Sequence, residues 1–288
     1  MNVAELLLSL KEEGVKLYYR PNTGNAGDSL INCGFFHLAD SLDVPYKLAP
    51  EGYDYTQIED DAVLLLPGGG YLVSFWSSGD SLINTLLQFS FKVILLPQSV
   101  QERKDLVLKL REKDVIFLRE GYSYEYVKSL NPTCQVEIDH DLAFHVDVQK
   151  LKSQNIARPK FSAKNLIRIF LLAYHIVRSK FYSKLFAYRT DGEATGKHSS
   201  SLKNDISLVC KFGNSTFSAN FASARALIHI VSSYEEVHSD RLHVVIAALL
   251  AGTKVFAHAN AYYKIKGVLE YSVHNNPSLE KYLAEFAQ

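Results

Sequence analysis

The sequence predicts an α/β fold built as two Rossmann-like domains, and three observations carry that reading. Near-continuous apolar runs of strand length, such as "DAVLLLPGGG" (61–70) and "KVILLPQSV" (92–100), alternate with helical patterns. Fully apolar strands alternating with helices belong to parallel sheets covered on both faces. Glycine, proline, asparagine and serine cluster directly after those runs, where open parallel sheets place their ligands. Finally, 288 residues that are 47% hydrophobic and 22% charged suffice for two cores of about 140 residues each.

In the first half, residues 3–12 read as an amphipathic helix, "VKLYYR" as a strand, and "PNTGNAGDSLI" as a glycine-rich turn opening a second helix. Strands 61–70 and 92–100 follow, then strand "VIFLRE" with its helix "GYSYEYVKSL", and "VEIDHDLAFHV" as the last strand and exit. Asn25, Gly27, Asp28, Gly68–Gly70, Gln98, Ser99 and Arg119 all fall at strand ends. Domain one is therefore expected over 1–148.

Residues 149–184 read as a linker with a basic amphipathic helix. Nine residues without formal charge separate Arg168 from Arg178, flanked by Lys164, Lys180 and Lys184. That is too short to span a bilayer; it suits an interdomain helix with solvated basic ends or, alternatively, a helix lying on an anionic membrane surface. The second domain, 185–274, contains strand "LFAYRTDGEA", a polar loop from Lys197 to Asp205, strand "DISLVCKF", helix "ANFASARALIHIVSS", strand "EEVHS", a buried helix and strand "TKVFAHA". The tail 275–288, "NPSLEKYLAEFAQ", reads as a capped helix packing back on the first domain.

Formal net charge is zero, so no global field recruits nucleic acid. Cys33, Cys134 and Cys210 are odd in number and widely spaced, as in reduced thiols rather than a disulfide framework or a zinc site. The N-terminus carries Glu5, Glu12 and Glu13 and no apolar run long enough for a signal peptide or membrane span. The cytoplasm, with a peripheral place at the inner membrane face left open, is the expected location. His140 and His145 near Asp139, Asp141 and Asp147 read as a solvated strand exit rather than a metal site.

The stretch "HSDRLHVVIAALLAGTKV" (238–255) puts a cation and an imidazole in the first turn of a helix. Ser239 or Asp240 is suited to cap it and Gly252 to stop it. From Val244 to Ala251 every residue is apolar, so the body is buried and only the front end can meet a ligand. The positive end of the dipole disfavours Arg241, and a bound carboxylate or phosphate would compensate. A structural ion pair to Asp or Glu, with His243 as a satisfied core histidine, is the alternative.

In order and spacing, "NTGNAGDSLI", "LLLPGGGYL", "VILLPQSV", "FLREGYS", "DLAF", "YRTDGEA" and "SDRLHVVIAALLAGTKV" together resemble the polysaccharide pyruvyl transferase family along almost the whole chain. The resemblance is strongest to members acting in bacterial exopolysaccharide or capsule assembly. It implies a GT-B-like pair of domains with the active site in the cleft between them, and transfer of a pyruvyl group from phosphoenolpyruvate to hydroxyls of a sugar or lipid-linked oligosaccharide. Phosphoenolpyruvate is the donor substrate, and no cofactor or metal is implied. Homo-oligomerisation is open.

On this reading Arg241 and Arg119 hold the anionic donor. His243, in the Arg-Leu-His motif, protonates its methylene carbon as general acid, because an imidazole beside bound anions stays charged near neutral pH. Asp28 caps its helix, orients an acceptor hydroxyl or acts as base. Asn25, Gly27, Gly69 and Gly70 permit close backbone approach to the ligand or simply make turns. Asp191 and Glu193 either contact ligand or pair with Arg189. A GT-B-like glycosyltransferase using a nucleotide-sugar, or a non-catalytic carbohydrate-binding scaffold, are the alternative functions. Neither a full GxGxxG, a Walker loop nor a G-x-S-x-G elbow is present.

Overall fold

The computed structural model describes residues 1–74, 78–155, 162–195, 201, 203–274 and 276–287. The chain forms two compact units, Met1–Asn22 with Phe35–Leu142, and Thr23–Gly34 with Ala143–Gln288. Both are α/β, and every strand pairing in them is parallel.

The first unit opens with α1 (Val3–Glu12), started by a reciprocal cap in which Asn2 accepts from the Glu5 amide and Glu5 accepts from the Asn2 amide. Its buried residues, Val3, Leu6, Leu7 and Leu10, recur at helical spacing. Then come β1 (Leu17–Tyr19), α2 (Ala26–Ser41, whose first part belongs to the second unit), β2 (Lys47–Leu48), β3 (Val63–Leu66) and β4 (Gly69–Val73). They are followed by α3 (Ser78–Leu86), β5 (Lys92–Gln101), α4 (Lys104–Val107), β6 (Val115–Leu118), α5 (Gly121–Ser129) and β7 (Gln135–Ile138). The sheet order is β2-β1-β3-β5-β6-β7, with β4 beside the later part of β5. The apolar runs of the sequence form β3, β6 and the first part of β5, and Val63–Leu66, Val93–Val100 and Val115–Leu118 are buried on both faces. The glycines after β3 are not a bare turn. Gly69 and Gly70 begin β4, with Gly69 opposite Gln98.

The second unit adds α6 (Val148–Ser153), α7 (Ala163–Ser179), β8 (Lys184–Ala187), α8 (Ile206–Val209), α9 (Phe217–Val231), β9 (Glu236–Ser239), α10 (Leu242–Ala251), β10 (Lys254–His258), α11 (Lys264–Ser272), α12 (Pro277–Glu280) and β11 (Leu283–Ala287). Its sheet runs β11-β10-β9-β8. One face is Leu185, Ala187, Val237, Ser239, Val255 and Ala257, all buried; the other stacks Phe186, His238 and Phe256, with ring centroids 4.7 and 4.4 Å apart. As expected, α10 is buried through Leu249 and ends at Gly252, the left-handed residue with φ 74°.

Four expectations need correction. The tail does not end in a helix: after the single turn of α12 it becomes β11, because β10 offers an edge whose main-chain groups it satisfies, as in the 2.8 Å bond from Val255 N–H to Tyr282 O. β11 lies in the second unit's sheet and not on the first unit. "DISLVCKF" is α8, because Ile206, Val209 and Cys210 are buried at i, i+3, i+4 spacing. Residues 149–184 are no separate linker; they cluster with the second unit, as do Thr23–Gly34, so 148 is not the boundary. Most of the loop expected over 197–205 lies outside the described residues.

All three cysteines are buried free thiols, and burial pushes Cys134 up to about 11. Among the described residues no helix is long and apolar enough to cross a membrane.

α7 is turned inside out relative to an ordinary surface helix. The residues it buries are Asn165 and His175. The His175 Nε2 meets Lys203 O at 2.7 Å, and Tyr234 donates to the His175 carbonyl at 3.0 Å. Burial lowers the His175 pKa below its ordinary 6.5, outweighing the Lys203 contact. The unfolded chain therefore binds this proton more readily than the folded one. Stability is fully present above about pH 6.5 and is lost as pH falls from there toward the folded value. Between pH about 7.5 and 5.5, thermal melts of His175→Gln should lose about 2–4 °C less than wild type; an equal loss in both would show that His175 carries none of the acid sensitivity.

Candidate active site

The second unit gathers its charged groups at the carboxyl ends of its strands. Arg189 follows β8, Asp240 and Arg241 join β9 to α10, and Asn260 follows β10. The Arg189 guanidinium meets Asp191 at 2.7 Å and also binds Glu193. Arg241, the N-cap residue of α10, directs Nη2 to Asp191 at 2.9 Å and to Asp205. Lys264 and Asn260 complete Glu193 at 2.6 and 3.0 Å. Asp205 also accepts from the Thr190 amide and hydroxyl, and Asp240 accepts from the Arg189 amide at 2.8 Å.

Three cations, Arg189, Arg241 and Lys264, thus interlock with three carboxylates, Asp191, Glu193 and Asp205. Burial alone would push Asp191 up, but the Arg189 bond and the charges of Arg241 and Arg189 hold it below the usual carboxylate range. Asp240 goes the other way: burial raises it despite Arg189 and Arg241. The ion-pair reading of Arg241 is realised. Its Nε, however, is buried without a hydrogen-bond partner among the described residues, and Asp191 is the most exposed carboxylate of the cluster at 27%. An anion approaching at Asp191 would meet a guanidinium with a donor still to satisfy, at a helix N-terminus where the first amides lack intrahelical partners.

The start of α2 forms the other wall. Asn25 Oδ1 accepts from the Gly27 amide at 2.8 Å, and Asp28 accepts from the Asn25 amide at 2.6 Å. Of the roles open to Asp28, capping is the one its hydrogen bond carries, and Gly24 leaves room for it: a Cβ there would lie 2.0 Å from Asp28 Oδ2. Gly27 is required for a different close approach than the expected one to ligand. A Cβ at this position would stand 2.7 Å from both Cβ and Nδ1 of His243. The loop before α9 and α9 itself lock the arrangement, with Asn214 donating to Gly24 O at 2.9 Å and Asn32 to Asn220 at 2.7 Å.

Asn25, Gly27, Asp28, Arg241 and His243 are therefore brought together within one unit, and His243 is half-buried. Gly69, Gly70 and Arg119 belong to the other unit. Arg119 is 1% exposed, donates to Asp141 at 2.7 Å and to Ser99 at 2.9 Å. The carboxylates of the 139–147 stretch are likewise engaged: Asp139 receives the Val3 amide at 2.7 Å, and Asp147 caps α6. Arg189, Asp205, Asn260 and Lys264 were not expected at the site. Arg189 sits in the quoted "YRTDGEA", but nothing in the spacing of the other three links them to it.

A family profile described as polysaccharide pyruvyl transferase matches residues 7–262. The chain belongs to that family. Among curated proteins none matches it. A solved structure of an uncharacterized protein from Klebsiella pneumoniae subsp. pneumoniae is 28% identical, with a TM-score of 0.72 over 95% of each chain. In this pyruvyl transferase family member the quoted motifs around 22–31, 188–194 and 239–255 are the segments that build the cluster just described.

Gly27→Ala should force either the first turn of α2 or the His243 ring to move, destabilising the protein by about 1–3 kcal/mol in denaturant unfolding. Gly192→Ala, where a Cβ meets nothing within 4 Å, should change stability by less than about 0.5 kcal/mol.

Proposed function

We propose that the protein is a ketal-pyruvyl transferase that moves the pyruvyl group of phosphoenolpyruvate onto two hydroxyls of a saccharide and releases phosphate. The observation that carries this reading is the pairing, in one unit, of an arginine at a helix N-terminus with a half-buried imidazole two residues later. The donor has two anionic groups. Arg241 and the first amides of α10 suit one of them, in competition with Asp191. Arg119 as a second anion-binding group, and a GT-B-like pair of Rossmann-like halves, are parts of the same proposal.

The reaction needs acid catalysis at carbon. A proton from His243 to the methylene carbon of the enol makes the neighbouring carbon electrophilic, and the first sugar hydroxyl adds there as its proton passes back to His243. The second hydroxyl then displaces phosphate, closing the ketal; its proton leaves with the phosphate or the site. One proton thus ends on the new methyl group and the other on the medium or phosphate. The missing side chain of Gly27 lets the His243 ring come close to the start of α2. Asp28 acts here as a positioning residue, fixing the start of that helix.

Phosphate release from phosphoenolpyruvate should require a saccharide acceptor and add a pyruvyl mass to it in mass spectrometry. His243→Ala should lower kcat by about 10²–10⁴-fold with an unchanged melting temperature. Arg241→Lys, which keeps the charge and loses the planar fork, should raise the donor KM about tenfold or more. Turnover of His243→Ala near the wild-type rate would remove the imidazole from the mechanism.

A further inference from the structure

The outward face of α7 is apolar. Leu166, Ile167, Ile169, Phe170, Tyr174 and Val177 are exposed, Phe170 to 67%, and the turn after the helix adds Phe181 at 77% and Tyr182 at 59%. At 100° per residue the six helical side chains share one stripe about 160° wide, and from Leu166 to Val177 it runs roughly 17 Å. Burying polar Asn165 and His175 while exposing this stripe is the reverse of what water favours. An exposed patch of this kind marks an interaction surface.

Charge identifies what covers it. Between Asp147 and Asp191 the sequence holds ten lysines and arginines and no acidic residue. On and beside α7, Lys164, Arg168, Arg178 and Lys180 flank the stripe, and Arg178 lies 4.8 Å from the Tyr182 ring. A second copy docking through the same face would set these cations against their own kind. An anionic lipid surface offers the complement to both features at once: acyl chains for the stripe and headgroups for the cations. A cavity of about 510 Å³ at the end of the helix is lined by Lys180, Phe181, Tyr182 and several serines, with Glu235 also on its wall.

We infer that α7 is a membrane-surface helix that holds the protein on anionic bilayers, lying in the interfacial plane without crossing it. The inference is independent of the reaction proposed above. It is tested by co-sedimentation of the full chain with vesicles of phosphatidylglycerol and phosphatidylcholine, against vesicles of phosphatidylcholine alone. Wild type should partition onto the anionic vesicles at least tenfold better, and about 0.5 M salt should weaken it. Phe170→Glu with Val177→Glu should lower partitioning at least tenfold. Lys164→Gln with Lys180→Gln should lower it by about fivefold per charge. Melting temperatures of all variants should stay within about 2 °C of wild type.

The inference would be overturned by equal binding to neutral vesicles, by binding that survives both pairs of substitutions, or by light scattering showing a dimer that Phe170→Glu with Val177→Glu converts to monomer without any vesicle binding. A melting temperature lowered by several degrees in the glutamate variant would also overturn it, by showing that the stripe packs within the protein.

Discussion

The interlocked charges around Asp191 are the constraint from which the second unit takes its form. Taking one cation or carboxylate out of water costs several kcal/mol, and a buried charge is tolerated only when partners surround it. Here each partner comes from a different piece of chain: Arg189 from the end of β8, Arg241 from the head of α10, Asp205 from the start of α8, and Lys264 from α11. The cluster therefore sets the relative positions of those pieces more strictly than apolar packing, which is non-directional. α10 cannot rotate without breaking Arg241 from two carboxylates, so the placement of His243 follows from electrostatics two residues away.

That arrangement explains why the same arginine suits both readings the sequence left open. A guanidinium held by carboxylates is preorganised, and preorganised donors stabilise an incoming anion without having to reorient when it arrives. Asp191, the partner nearest to solvent, is the group an arriving phosphate or carboxylate would displace. On the proposed function, the ion pair seen here and an anion pocket would be two states of one site rather than rival explanations.

Much of the fold was legible. Runs such as Val63–Leu66 and Val115–Leu118 are apolar because both faces of their sheet are covered, and Gly252 stops α10 because only glycine takes its backbone angles cheaply. What stayed hidden was non-local. The tail segment Leu283–Ala287 is a strand only because β10 has an edge to fill, and Ile206–Val209 is too short for its period to separate helix from strand. At the site, Gly27 was visible as a glycine but not as the neighbour of His243, more than two hundred residues on. Asp205 and Lys264 carried no local mark at all. The uncharged run between Arg168 and Arg178 marked a helix with basic ends; it could not say which way its apolar side chains would face, since a helical wheel has no inside until the chain folds.

The second unit is discontinuous, and this bears on its birth. Residues 23–34 leave the ribosome early, yet Asn32 waits for Asn220, 188 positions later. At about 5–20 residues per second that interval is roughly 10–40 s of translation. Throughout it the nascent start of α2 lacks Asn214, Asn220 and His243, while Phe35 further along that helix already has Tyr19 to stack on. Completion of the second unit is thus tied to the arrival of its later segments, so the approach of His243 to Gly27 cannot form until most of the polypeptide has been made.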